Sequence, residues 1–365
     1  MNSGAWITRL SGRGVPYQVV APPMPWVDPE FLDAVVYLYP SEAEAQDGKR
    51  IGGSGFVVGY PLKPTKKALL CVVTNKHVID SGNMVVRVNT TDGKTDTIAL
   101  DHAKWYLHPQ GDDIAICPIS LSSLHRVKHL RSDAFITKET IDGFDIGPGD
   151  ECFIVGRFVN HEGRQRNLPS VRFGNISQMP WEPIVIDGFP QESFLVEARS
   201  ISGYSGSPVY VYVPSQMHSP QIVKAARDHN FKLPGVSPKR VNLPMMAGPW
   251  LLGVDFCHIR WDEPIWSRIT NKPVSDDWFI KSNTGMMGVV PAWKIMEILE
   301  GPEMKPLIEQ TTKQVVQSEQ DNSSVELDAA SLSKSAPPAK DENPQHREGF
   351  TSLLNAAARK QTQGD

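Results

Sequence analysis

Short β-prone segments recur along most of this chain, separated by turn residues, and they fall into two groups. The first is Asp33–Tyr39, Gly55–Gly59, Ala68–Thr74, Asn83–Val88, Thr95–Leu100 and Asp113–Ile119. The second is Glu151–Val155, Val171–Ile176, Phe194–Ala198, Val209–Val213, Trp250–Phe256 and Gly285–Val290. Val, Ile, Tyr and Phe crowd these runs, and Gly, Pro, Asn and Asp lie between them, the pattern of an all-β chain rather than of alternating strand–helix units. Counts of 28 Gly and 30 Pro agree, because each punctuates helices and serves turns. Only Ala292–Leu299, with Ile295, Ile298 and Leu299 at helical spacing, reads as a closing helix. The segment linking the groups, roughly Ser120–Gly149, has room for a helical turn.

The 365 residues, 40% of them hydrophobic, suffice for one large or two small domains with a proper core. A net charge of −4 without a long basic stretch argues against nucleic acid and anionic membranes as partners. No apolar run approaches the ~18–20 residues that span a bilayer, and the first residues lack a continuous apolar signal core. Cys71, Cys117, Cys152 and Cys257 sit in apolar runs at scattered spacings and read as reduced core thiols, which fits a cytoplasmic protein. No motif calls for a metal or an organic cofactor: there is no paired C-x-x-C, His125 and His129 lack a helical glutamate partner, and Gly53-x-Gly55 leads into a strand rather than a helix.

Two segments stand apart. Residues 214–249 form a long insert rich in Pro, His and Lys/Arg; it either overhangs the groove that follows or elaborates the surface elsewhere. From 305 to 365 polar residues dominate and Phe350 is the only aromatic, so this tail is expected to be disordered. Within it Phe350, Leu353, Leu354 and Ala357 share one helical face that suits a protein partner.

Chemistry concentrates at Gly203-Tyr204-Ser205-Gly206-Ser207-Pro208, with Thr74-Asn75-Lys76-His77 and Asp113-Ile114-Ala115-Ile116 upstream. A serine hydroxyl is a weak nucleophile at neutral pH. It needs an imidazole to take its proton and a carboxylate to hold that imidazole in one tautomer. His77 follows the apolar run Ala68–Val73, a strand end opening on a groove. Asp113 opens an alternating strand, so its neighbour Asp112 points elsewhere. The rival serine-hydrolase elbow, G-x-S-x-G between strand and helix, fits poorly: position 207 is Ser, Pro208 precedes a strand, and the order here is His, Asp, Ser.

Together with Gly52-Gly53-Ser54-Gly55-Phe56, Leu252-Gly253-Val254 and Gly288-Val289-Val290-Pro291, these motifs resemble the trypsin-like (chymotrypsin-fold) serine proteases over roughly residues 30–300. The compact branch with HtrA-type and glutamyl endopeptidases is the most similar, although Asn75-Lys76 departs from its usual histidine segment and nothing after Gly301 looks like a PDZ domain. The resemblance implies two six-stranded antiparallel β-barrels, about 31–120 and about 150–290, with the active site in the cleft between them. It divides the chain into an N-terminal extension (1–30), a protease domain (31–304) and the tail.

The resemblance further implies a serine endopeptidase acting on protein or peptide substrates through an acyl-enzyme. Ser205 would be the nucleophile, His77 the base, Asp113 the orienting carboxylate, and the Gly203 and Ser205 amides the oxyanion hole. Arg199, Gly253 and Asp255 would fall near the primary pocket. The arginine would favour acidic side chains, the aspartate basic ones, or the two would pair. Arg50-Ile51-Gly52-Gly53 looks like a zymogen cleavage site, but Tyr204 stands where the activating aspartate belongs, so no such cleavage is expected. The alternative is a latent or non-enzymatic binding module of the same fold, regulated by a partner through the insert or tail.

Overall fold

The computed structural model describes residues 27–50, 52–144, 146–158, 163–186, 188–198, 204–212 and 249–332, with side chains as far as 320. The insert (apart from Pro249), the face around Phe350, Ile51, Arg199 and Gly203 lie outside these residues.

A short helix α1 (Pro29–Asp33) is capped by the Asp28 side chain and leads into β1 (Val35–Tyr39). Then follow α2 (Glu42–Asp47), β2 (Gly53–Pro61), β3 (Ala68–Thr74), α3 (Lys76–Asp80), β4 (Val85–Asn89), β5 (Thr95–Ala99), β6 (Tyr106–Leu107), β7 (Ala115–Pro118) and β8 (Leu130–Arg131). The first sheet runs β5-β4-β1-β2-β3-β7-β6, with β8 added in parallel to β2. Its central strands are buried on both faces, which is why they read as unbroken apolar runs such as Val35–Tyr39. Val35, Tyr37, Cys71, Val73, Ile114 and Ile116 join the main core, while Val36, Leu38, Val72, Cys117 and Ile119 form a second cluster on the opposite face. Each such side chain contributes roughly 1.5–3 kcal/mol.

This first sheet departs from one expectation: among the described residues its strands follow an open path, and closure into a first barrel is not seen. The path ends at β5 and at β6, a strand of two residues. Between them the chain turns through Leu100–Trp105, where Trp105 Nε1 donates to the Leu100 carbonyl at 3.2 Å instead of a ladder forming.

A 3₁₀ turn (Ser132–Ala134) and α4 (Lys138–Phe144) link to the second half, as the linker composition led one to expect. That half contains β9 (Glu151–Gly156), β10 (Ser170–Gln178), the ribbon β11 (Ile184–Ile186) and β12 (Phe189–Gln191), then β13 (Phe194–Glu197), β14 (Pro208–Val211), β15 (Trp250–Pro264) and β16 (Phe279–Pro291). Here the barrel does close, in the order β10-β13-β16-β15-β14-β9, with every pairing antiparallel. Strands β15 and β16 continue beyond it as a ribbon on which Trp261, Trp266 and Trp278 are exposed.

Helix α5 (Trp293–Leu299) closes the barrel and buries Ile295, Ile298 and Leu299, the residues its spacing pointed to. The tail brings a second correction. Residues 305–332 are not disordered but form helix α6 (Lys305–Leu332), with Pro306 in the first turn, where its missing amide costs nothing. Met304 and Thr311 are buried, and Leu307, Ile308 and Val315 pack on the core. No helix among the described residues is long and apolar enough to cross a membrane. All four cysteines are free, and burial pushes the Cys117 thiol up to about 12.

Candidate active site

Strand β3 ends at Thr74, and Asn75 turns the chain into α3 so that His77 stands in its first turn. Asn75 occupies the cap position without capping; its Nδ2 instead donates to the Asp113 carbonyl at 2.8 Å. The residue that departs from the usual histidine motif is thus part of the site. Asp113, just before β7, holds His77 at two points: Oδ2 lies 2.6 Å from ring Nδ1, and Oδ1 accepts the His77 backbone N–H at 2.9 Å. Asp112 turns the opposite way and is buried.

His77 has a half-exposed ring. Desolvation opposes its charge, but the hydrogen bond and charge of Asp113 outweigh that, helped by Asp255 and Asp80, and its pKa rises above the ordinary 6.5.

Ser205 lies in the turn before β14. Tyr204 is fully buried beneath it, its hydroxyl 2.7 Å from Ser170 Oγ and its ring 4.9 Å from the Arg172 guanidinium. Where an activating aspartate would sit, a buried phenol anchors the turn. Gly206 has φ +85°, and a Cβ there would collide with the Ser54 carbonyl oxygen. Both constraints require glycine. The turn is tied on two sides: Ser54 N–H donates to the Ser205 carbonyl at 2.8 Å, and Gly206 N–H to the Asp255 carbonyl at 2.9 Å.

The two halves of the molecule meet at Gly53. A side chain there would sit 2.9 Å from the Val78 methyls and 3.3 Å from the Ser205 carbonyl oxygen. Ser205 therefore lies across a single glycine from the helix that carries His77. The structure brings His77 and Asp113 into direct contact and sets the Ser205 turn on the same seam.

Of the residues expected at the pocket, Asp255 is buried beneath the Ser205–Ser207 turn, donating its N–H to Ser207 O at 2.9 Å. Gly253 pairs with Pro291 and Val209, and its missing side chain makes room for the Val290 backbone. Gln191 was not foreseen: its Oε1 accepts the Asp113 N–H at 3.0 Å, and nothing in its local sequence marks it.

No protein-family model matches the chain, and no curated protein matches it. Among solved structures it is similar to the MamO protease domain from Magnetospirillum magneticum in its apo form, at 17% identity and TM-score 0.41, over 73% of this chain and 96% of that one. It is also similar to the inactive form of a serine-to-alanine mutant of Rv3671c from M. tuberculosis H37Rv, at 15% identity and TM-score 0.38, over 76% and 95%. Those scores decide nothing about chemistry, which rests on the residues themselves.

Proposed function

We propose that this chain is a serine endopeptidase of trypsin-like design that hydrolyses peptide bonds through an acyl-enzyme. The observation that carries the reading is the double contact of Asp113 with His77, made where a glycine-bounded serine turn crosses the same seam.

In this reading His77 Nε2 takes the Ser205 proton as Oγ attacks the substrate carbonyl, and the imidazolium then delivers it to the departing amine. Asp113 keeps Nδ1 protonated and favours the charged ring that forms during attack. The amides of Ser205 and Gly203 receive the negative oxygen of the tetrahedral intermediate; losing one such donor costs about 10²–10³ in rate. Water then repeats the cycle on the acyl-enzyme. The residues assigned these roles need no metal and no organic cofactor.

A fluorophosphonate probe tests the proposal directly. It should label the uncut wild-type protein and leave Ser205→Ala unlabelled, and an unstructured protein substrate should be cleaved only by the wild type. A wild type that neither reacts nor cleaves would sink the enzymatic reading in favour of a protease-fold binding module. A titre that appears only after cleavage at Arg50 would overturn the expectation that no such activation is needed.

A further inference from the structure

Asp112 and Asp113 are adjacent carboxylates with opposite surroundings. Asp113 faces His77. Asp112 faces inward, with Oδ2 2.7 Å from His108 Nδ1 and 3.2 Å from Lys294 Nζ on α5. Lys294 also reaches Glu192 Oε2 at 3.0 Å and Glu297 Oε2 at 3.6 Å, and His108 Nε2 lies 2.8 Å from Glu297 Oε2. Two basic groups and three carboxylates thus join the β6–β7 turn of the first sheet to the closing helix. Buried networks of this kind hold one geometry only while every member is satisfied.

Gln191, at the end of β12 and 1% exposed, is the link between this network and the candidate active site. Its Nε2 donates to Asp112 Oδ1 at 2.5 Å and to the Glu192 carbonyl at 3.0 Å, while Oε1 accepts the Asp113 N–H at 3.0 Å. One amide group therefore grips the carboxylate of one aspartate and the backbone of the next. The peptide between them precedes β7, and its backbone tie is local, the Ile114 N–H donating to the Asp112 carbonyl at 2.7 Å, so a rotation about it would turn Asp113 away from the ring.

We infer that Gln191 is a positioning residue for the proposed site, anchoring the Asp112–Asp113 peptide so that both oxygens of Asp113 meet His77. The inference rests on the endopeptidase reading for its consequence in catalysis, but not for its geometry. Losing the anchor lets Asp113 sample orientations that miss Nδ1. A misplacement of this size costs about 10²-fold in turnover, and it falls on kcat rather than KM because Gln191 is buried and offers substrate no surface.

The test follows the His77 ring resonances by NMR through the neutral range, in wild type, Gln191→Met and Gln191→Glu, alongside kcat and KM. Gln191→Met keeps length and removes all three hydrogen bonds. The His77 midpoint should fall toward its ordinary value in that variant, with kcat down about 10- to 100-fold and KM little changed. Gln191→Glu keeps an oxygen for the Asp113 amide but turns its other oxygen toward Asp112 Oδ1, so it should restore part of kcat only where that carboxylate pair shares a proton. An unchanged His77 midpoint in folded Gln191→Met overturns the inference. So does loss of the folded state in both variants, since the residue would then serve the fold alone. The NMR titration needs no turnover, so a wild type that fails to react with fluorophosphonate removes the enzymatic reading without touching this result.

Discussion

Asp113 grips His77 through both carboxylate oxygens, one on the ring at 2.6 Å and one on the backbone amide at 2.9 Å. The backbone contact fixes where the carboxylate stands relative to α3, and the ring contact then fixes which imidazole nitrogen carries the proton. Asn75, donating to the Asp113 carbonyl, holds the same residue from behind. Asp113→Asn keeps the shape but presents an amide that stabilises the wrong tautomer and no longer balances an imidazolium. We expect kcat on a peptide ester to fall about 10⁴-fold with KM little changed.

The charge on His77 sets the pH dependence. The base works only when neutral, and its pKa is raised by Asp113, Asp255 and Asp80 acting against desolvation. Activity should therefore rise with pH and reach half its plateau above the ordinary 6.5 rather than at it. Stability runs the other way: the pairing contributes fully below the unfolded-state pKa and is lost as pH climbs through the folded one. Asp255→Asn removes one contributing charge and should move the midpoint of kcat/KM down. A midpoint that stays in place would mean that Asp255 does not influence the ring.

Gly206 combines a positive φ with a carbonyl where a side chain would go. Gly206→Ala must either push Ser54 away or flatten the turn, and both displace Ser205. Fluorophosphonate labelling should fall by two orders of magnitude or more, by the sensitivity of reacting groups to about 1 Å of displacement. The melting temperature should fall as well, since strain and overpacking cost roughly 1–3 kcal/mol.

The buried Asp112 should govern acid behaviour. Desolvation disfavours its charge, but the contacts with His108 and Lys294 overcome this and hold its pKa below the ordinary 3.8. A depressed carboxylate contributes stability at neutral pH that is lost as pH falls through its folded pKa. Wild type should lose melting temperature steeply in that range, whereas Asp112→Asn should start lower and respond less.

The twelve strands expected from apolar runs and turn residues all occur, most with ends moved by one or two positions. The largest differences are β15 and β16, which outrun their predicted ends to form the exposed ribbon. The His77–Asp113 contact was equally legible, because His77 closely follows one strand and Asp113 closely precedes another, each in a recognisable pattern. Barrel closure was not, since β6 is too short to have a periodicity. Gln191 escaped because its meaning lies in a peptide about eighty residues away, which local pattern cannot encode. Helix α6 was hidden by its composition: the polar average concealed Leu307, Ile308 and Val315, which with Met304 just before the helix and the Thr311 methyl form a row at helical spacing.

That row makes α6 testable as part of the core. Met304 is fully buried, and its replacement by alanine should cost about 2–5 kcal/mol, as other large-to-small core changes do. Leu307→Ala with Ile308→Ala removes two partly buried anchors and should lower the denaturation midpoint further in combination. Lys313 faces solvent on the same helix, and Lys313→Ala should stay within about 0.5 kcal/mol. Urea unfolding separates the cases: a segment without tertiary contacts would leave the midpoint unmoved by all of these changes. A docked helix instead makes the response follow burial residue by residue, and a flat response across Met304, Leu307 and Ile308 would return the segment to the disordered tail.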